Sequence, residues 1–196
     1  KPTVIKALGE LKSRAATLAI LPYAESEDLN TRLMVYHAVA NIGDPAAENA
    51  LKRALIQTSG YERSQALSAY LRFAERLAEA EAEEKALDVY RTVLHTYTTN
   101  EDIHIRGAAL TGLVSIQGEA ALNILLDAMD SPYKAYRTVA LRLARQIESR
   151  KATWAWIEKS QSAGPEVKAE ILAYLGKRGD EVALPVLLDA LNAENE

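Results

Sequence analysis

A basic residue followed by apolar residues three, four, seven and ten positions later recurs along the whole sequence. The basic residues that start these copies are Lys1, Arg32, Arg63, Arg106, Arg137 and Lys168. Four of the five steps between them are 31 residues, and the step from Arg63 to Arg106 is 43 residues. A regular period of this length indicates an array of similar structural units, with one long insertion within residues 63–105.

The spacing of the apolar residues places them on one stripe of an α-helix. Arg137, for example, is followed by Ala140, Leu141, Ala144 and Ile147, so we expect Leu141 to lie in the core. In the last copy Arg178 replaces the apolar residue at the tenth position. A second apolar stripe begins about 18 residues after each basic residue, so each unit is predicted to hold two helices.

Glycine, aspartate and proline mark the turns between the predicted helices. The two stripes of a unit are separated by Gly43-Asp44-Pro45, Gly118 or Gly179-Asp180, and successive units by Ser131-Pro132 or Gly164-Pro165. Glycine ends a helix in the left-handed conformation, and aspartate or proline begins the next one. Since one hairpin cannot bury its own stripes, we predict an all-α solenoid of about six stacked helical hairpins, a single domain over residues 1–196.

The third unit departs from this pattern because it has neither glycine nor proline between Arg63 and Glu101. Its insertion is rich in alanine and glutamate, which are strong helix formers. We therefore predict two lengthened helices that turn near residues 79–83. The acidic end of this hairpin, around residues 79–84, is either a solvated tip or a docking tip.

Two segments resemble the HEAT repeat of the bacterial type called HEAT-like or phycobilisome-lyase-like. One runs from Glu166 to Leu191 and includes Gly179-Asp180 and Leu184-Pro185-Val186-Leu187, and the other is Ala40-Asn41-Ile42-Gly43-Asp44-Pro45-Ala46. The resemblance implies that the first helix of each unit lines a concave face. It also implies one of several roles: scaffolding proteins, capping enzymes, acting on bilins, or excising alkylated DNA bases.

Composition removes several classes of function. The chain has no cysteine, which excludes disulfides, thiolate metal sites and a cysteine nucleophile. Its net charge of −4 disfavours general affinity for nucleic acid or for a membrane surface. His37, His95 and His104 form no HExxH motif and no His-Glu dipeptide, so no metal, cofactor or catalytic residue is assigned. The composition is compatible with a cytoplasmic or an exported bacterial protein.

The recurring basic residues have two interpretations. Arg32, Arg63, Arg106, Arg137 and Lys168 could form a phosphate-binding stripe, but we favour a structural ladder. In such a ladder the planar arginine fork bridges carboxylates and carbonyls of neighbouring loops. The sequence offers loop partners for it, namely Asp28, Asp102 and Asp130.

The fifth unit carries the one local cluster of positive charge. Arg142 and Arg145 lie off its apolar stripe and should be exposed, and Lys177 and Arg178 extend the cluster into the sixth unit. Trp156 falls on a stripe and should be buried, whereas Trp154 should be partly exposed. This cluster is either a solvated basic face or a concave surface for binding a partner, and the residues of that candidate surface are Arg142, Arg145, Lys177, Arg178 and Trp154.

The predicted function is a non-enzymatic module that binds another protein or an adjacent domain of a larger parent chain. The alternative is a small enzyme or nucleic-acid-processing module, of the HEAT-type DNA glycosylase or bilin lyase-like kind, acting through the same basic region. Apolar residues of the first and last units, such as Leu11 and Leu188, would be exposed at the ends of the array. We therefore also expect an end contact, either with another domain or end to end with a second copy.

Overall fold

A computed structural model describes residues 1–193, so the last three residues of the predicted domain lie outside the described part. This part contains twelve α-helices and no strand. The helices are α1 Pro2–Glu10, α2 Thr17–Ile20, α3 Leu29–Ile42, α4 Glu48–Gln57, α5 Gly60–Glu79, α6 Glu83–Thr96, α7 Ile103–Gln117, α8 Leu122–Asp127, α9 Lys134–Ala144, α10 Arg150–Ser162, α11 Pro165–Arg178 and α12 Leu184–Ala193. The prediction of an all-α fold built from helical hairpins is confirmed.

The turns inside the hairpins lie where the sequence predicts them. Gly43 ends α3 with φ of 70°, and Gly179 ends α11 with φ of 72°. The aspartate that follows each glycine begins a short 3₁₀ turn, because Asp44 accepts a hydrogen bond from the Ala46 amide and Asp180 accepts one from the Val182 amide. Glycine adopts this left-handed conformation without steric cost, and the aspartate satisfies an exposed amide of the next turn.

Contacts between Cα atoms divide the chain into two compact units, residues 1–116 and 117–196. These two units are larger than the repeats of the sequence, and the terms first unit and second unit refer to them from here on. In the first unit, α1 packs on α3 and α3 packs on α5. The α1–α3 contact is close because position 9 is glycine: a Cβ atom there would lie 2.6 Å from the Cα of Ala38. As predicted, α5 is lengthened, with 20 residues, and the turn that follows it lies at residues 80–82. The prediction that α6 is also lengthened is wrong, because α6 has 14 residues, as many as α3.

In the second unit, α10 packs closely on α11, whereas α9 and α11 are joined mainly by long side chains. Trp156 is fully buried, as predicted, with its ring centroid 5.1 Å from that of Tyr174. The prediction for Leu141 is wrong, because this residue is only half-buried. Its position faces the space between α9 and α11, and Leu143, with 2 % of its surface exposed, lies in the core instead.

One helical run in the described residues, Ile103–Asp130, is long and apolar enough to cross a bilayer by length and composition alone. The run is not one continuous α-helix, because Gly118 has φ of 54° and separates α7 from α8. The longer of the two, α7, has 15 residues and spans about 22 Å. A helix of that length falls short of the roughly 30 Å hydrocarbon core of a membrane.

Candidate functional site

A groove on the surface of the second unit runs between α9 and α11. The residues that line it include Leu141, Arg142, Arg145, Glu170, Ala173 and Lys177. Tyr174 spans the two helices, since its hydroxyl donates a hydrogen bond of 3.2 Å to the carbonyl of Ala144. The helices are thus held together by a large side chain, and the space beside it remains open as the groove.

The groove is lined by three cations, and Glu148 lines an adjoining pocket together with two of them, Arg145 and Lys177. Arg142, Arg145 and Lys177 are exposed, and their side chains form no ion pair with the described residues. Glu170 also lines the groove, but Arg137 binds both of its oxygens at 2.8 Å and so holds the pKa of Glu170 below its usual value. Because this carboxylate is already neutralised, the groove carries net positive charge.

Arg178 belongs to the predicted surface, but its guanidinium is engaged inside the unit. It donates hydrogen bonds to the carbonyls of Ile147 at 2.6 Å and Ser149 at 2.9 Å. A further hydrogen bond of 2.8 Å goes to the hydroxyl of Thr153. The arginine that replaces an apolar residue of the last stripe therefore holds the segment between α9 and α10, which leaves its charge poorly placed for a partner.

Trp154 lies on α10, and 58 % of its surface is exposed. The preceding residue, Thr153, is buried and donates a hydrogen bond of 2.7 Å to Asp180. Trp154 is not among the residues that line the groove. The structure therefore brings Arg142, Arg145 and Lys177 together and leaves Trp154 outside their groove.

Arg32 connects two successive hairpins of the first unit. Its Nε and Nη2 donate hydrogen bonds of 2.6 and 2.7 Å to the two oxygens of Glu62, and its Nη1 donates one of 2.7 Å to the carbonyl of Ser26. The hydroxyl of Tyr36 donates to the same carboxylate at 3.1 Å. Arg32, followed by Tyr36, is the main reason that the pKa of Glu62 lies below its usual value.

Arg137 has the same arrangement in the second unit. Its Nη1 donates a hydrogen bond of 2.9 Å to the carbonyl of Ser131, and its other nitrogens bind Glu166 and Glu170. In both cases the carbonyl lies six residues before the arginine, and the carboxylates belong to the following hairpin. Each arginine thus ties its own preceding loop to the next pair of helices.

The prediction that loop aspartates are the partners of Arg32 and Arg137 is wrong. Asp28 caps α3 and accepts hydrogen bonds from the amide and hydroxyl of Thr31. Asp130 accepts a hydrogen bond of 2.6 Å from Lys159. Both carboxylates are therefore already bound by nearer donors.

The actual partners, Glu62, Glu166 and Glu170, were missed by sequence reasoning. A signal for them exists, because each lies 29 to 33 residues after its arginine, close to one repeat period. The other members of the predicted ladder differ. Arg63 is exposed with its guanidinium 5.4 Å from the ring centroid of Tyr97, while Arg106 and Lys168 are half-buried.

The sequence analysis assigned no metal site to the histidines. His37, His95 and His104 lie on α3, α6 and α7, and all three are exposed. Within residues 1–193, no group of three or more histidine, aspartate or glutamate side chains could hold a metal ion.

Residues 2–72, which run from α1 into α5, match the family model described as HEAT repeats. No curated protein sequence matches the chain. The match confirms the predicted HEAT-like repeats over these residues, and the helical hairpins agree with the predicted all-α solenoid class. The bacterial, phycobilisome-lyase-like subtype stays a prediction. HEAT repeats are generally scaffold modules that bind other proteins.

Proposed function

We propose that this protein is a non-enzymatic interaction module that binds an acidic segment of a partner protein in the groove between α9 and α11. The observation that carries the proposal is the convergence of Arg142, Arg145 and Lys177, three exposed cations that form no ion pair with any of residues 1–193. Elsewhere arginines such as Arg53, Arg72 and Arg91 pair with nearby carboxylates. Unpaired cations in a groove favour a negatively charged ligand by electrostatic complementarity.

The apolar residues of the groove favour a protein ligand over a bare polyanion. Leu141 is half-buried and lines the groove together with the cations, and Ala173 lies on the opposite helix. A segment that combines carboxylates with one or two apolar side chains would pair with the cations and cover Leu141. The partner would be a separate protein or an adjacent domain of a parent chain, and the single domain over residues 1–196 remains part of this proposal.

Fluorescence anisotropy with a labelled peptide of alternating glutamate and leucine residues tests the proposal. The double variant Arg142→Gln, Arg145→Gln should bind this peptide about tenfold more weakly, because each exposed ion pair contributes roughly 0.2–1 kcal/mol. The matched control is Arg150→Gln, Lys151→Gln, which removes the same charge from α10 of the same unit and should leave affinity unchanged. Equal losses in the two variants, or no binding to the wild type, would rule out the groove as the site.

The alternative function is a nucleic-acid-processing or bilin lyase-like module that uses the same cations with Trp154. We favour the protein ligand because Trp154, the residue available to stack on a base, does not line the groove. A labelled DNA duplex in the same titration separates the two proposals. If DNA binds and this binding depends on both Arg142 and Trp154, the nucleic-acid function replaces the protein-binding one.

A further inference from the structure

A separate cavity lies in the first unit, between α4 and α6 and next to α5. Its volume is about 430 Å³, and its lining includes Leu55, Ile56, Arg63, Tyr70, Val93 and Tyr97. Cavities of this size with mostly apolar walls and a few polar groups are typical of small-molecule sites. None of these residues takes part in the α9–α11 groove, so the cavity is independent of the proposed function.

The walls of the cavity are mostly apolar but include three threonines, and they are partly uncovered. Val93 and Tyr97 are buried and give α6 and the residue after it an apolar face. On the opposite wall, Ile56 of α4 has 83 % of its surface exposed, the highest value among the large apolar side chains that are exposed in the described residues. A ligand with an apolar body would remove Ile56 from water, which is favourable in proportion to the area buried.

Tyr70 contributes a polar group that has no partner. The side chain is fully buried, and its hydroxyl makes no hydrogen bond with any described residue. Burial raises the pKa of Tyr70 above its usual value, and the charges of Glu48 on α4 and Asp88 on α6 raise it further. The hydroxyl therefore keeps its proton. Since Tyr70 lines the cavity, this hydroxyl can donate a hydrogen bond to an oxygen of a ligand bound there.

Arg63 supplies a cation that is available to a ligand. Its side chain is exposed, forms no ion pair among residues 1–193, and lies over the ring of Tyr97. The other cation of the cavity, Lys52, is already bound to Glu48 at 2.6 Å. One free positive charge beside an apolar cavity matches a ligand with one negative charge.

We propose that this cavity binds a small monocarboxylate with an apolar chain, such as a medium-chain fatty acid. The alkyl chain of the ligand lies between α4 and α6 and covers Ile56. Its carboxylate lies beside Tyr97, where Arg63 pairs with it and the Tyr70 hydroxyl donates a hydrogen bond to it. A carboxylate accepts such charge-assisted hydrogen bonds with geometry that a neutral alcohol cannot reproduce.

Isothermal titration calorimetry with decanoate, below the concentration at which it forms micelles, tests the proposal. Decanoate should bind and decanol should bind about tenfold more weakly, because hydrogen bonds to charged groups are worth about 1.5–3 kcal/mol, or at least tenfold. The variant Arg63→Gln should reduce decanoate affinity to that of decanol. The control Arg72→Gln, an exposed arginine on the same helix, should bind decanoate as the wild type does.

Tyr70→Phe provides a second test with two opposite effects. The ligand-free variant should melt at a higher temperature than the wild type, because it no longer buries an unpaired hydroxyl. It should nevertheless bind decanoate several-fold more weakly. The proposal is overturned if decanoate does not bind, if it binds no better than decanol, or if Arg63→Gln and Tyr70→Phe both leave its affinity unchanged.

Discussion

Arg32 shows how much one side chain can contribute when its partners come from both sides of it. Its guanidinium is fixed by a carbonyl of its own preceding loop and by a carboxylate of the next hairpin. The side chains of Arg32 and Glu62 are 23 % and 15 % exposed, so water competes weakly for either charge. Losing one partner would leave the other charge partly buried and uncompensated.

Glu62→Gln should therefore lower the free energy of unfolding by about 1–3 kcal/mol. Urea denaturation followed by circular dichroism measures this change. The control is Glu25→Gln, because Glu25 is exposed and its oxygen lies 3.6 Å from Arg53, so its loss should cost less than about 0.5 kcal/mol. Equal costs for the two variants would show that the Arg32–Glu62 pair does not stabilise the fold.

The same pair predicts a dependence on pH. Arg32 lowers the pKa of Glu62 below its ordinary value of 4.5, so the folded state binds a proton on this carboxyl less readily than the unfolded state does. Such a group stabilises the protein above the unfolded pKa, and the contribution is lost as pH falls through the folded pKa. The stability difference between wild type and Glu62→Gln should be full at pH 7 and shrink below about pH 4.5. A constant difference down to pH 3 would contradict this assignment.

At the scale of helices, α9 shows that a repeat position does not fix burial by itself. In the hairpins of α3, α5 and α7 the residue four positions after the arginine is buried, as with Tyr36, Leu67 and Leu110. The corresponding Leu141 lies beside the groove because α9 and α11 are spaced by the side chains that bridge them. The inward face of α9 is shifted toward Leu143.

Leu143→Ala should cost about 2–5 kcal/mol of unfolding free energy, because it leaves a cavity in a packed core. Leu141→Ala should cost about 1 kcal/mol, since its side chain is already partly in contact with water. Thermal or urea denaturation of the two variants measures the difference. If Leu141→Ala proved the more damaging, the face of α9 described here would be incorrect.

The sequence predicted the features that depend on local chemistry. Gly43 and Gly179 end their helices because their left-handed conformation is decided by the backbone of a few residues. The burial of Leu141 depends on the distance between α9 and α11, and the choice of Glu62 as the partner of Arg32 depends on how two hairpins align. A periodic pattern contains neither distance nor alignment, so these features could not be predicted from it.

At the scale of the whole molecule, apolar side chains remain exposed near both ends of the described residues. Val4 and Leu11 are 63 % and 74 % exposed, and on α12 Leu184 and Leu188 are 55 % and 50 % exposed. The two leucines of α12 are four residues apart and therefore share one face of the helix. Exposed apolar faces of this kind often mark contacts with other proteins.

The end contact expected from the sequence thus remains a prediction that these leucines can test. Light scattering over a range of concentrations should show self-association of the wild type, and Leu184→Gln with Leu188→Gln should abolish it. Tyr61→Gln, which changes an exposed aromatic residue of the first unit, should leave it intact. A wild type that stays monomeric at the highest concentration would exclude end-to-end pairing of copies.

Arg178 has a consequence for the order in which parts of the second unit open. Its hydrogen bonds to the carbonyls of Ile147 and Ser149 make the segment between α9 and α10 depend on a helix that comes later in the chain. Fluctuations that detach α11 should therefore also release this segment, while fluctuations of the segment alone must first break those bonds. In amide hydrogen exchange, Gln146 and Ile147 should consequently exchange in step with α11 and more slowly than a surface loop.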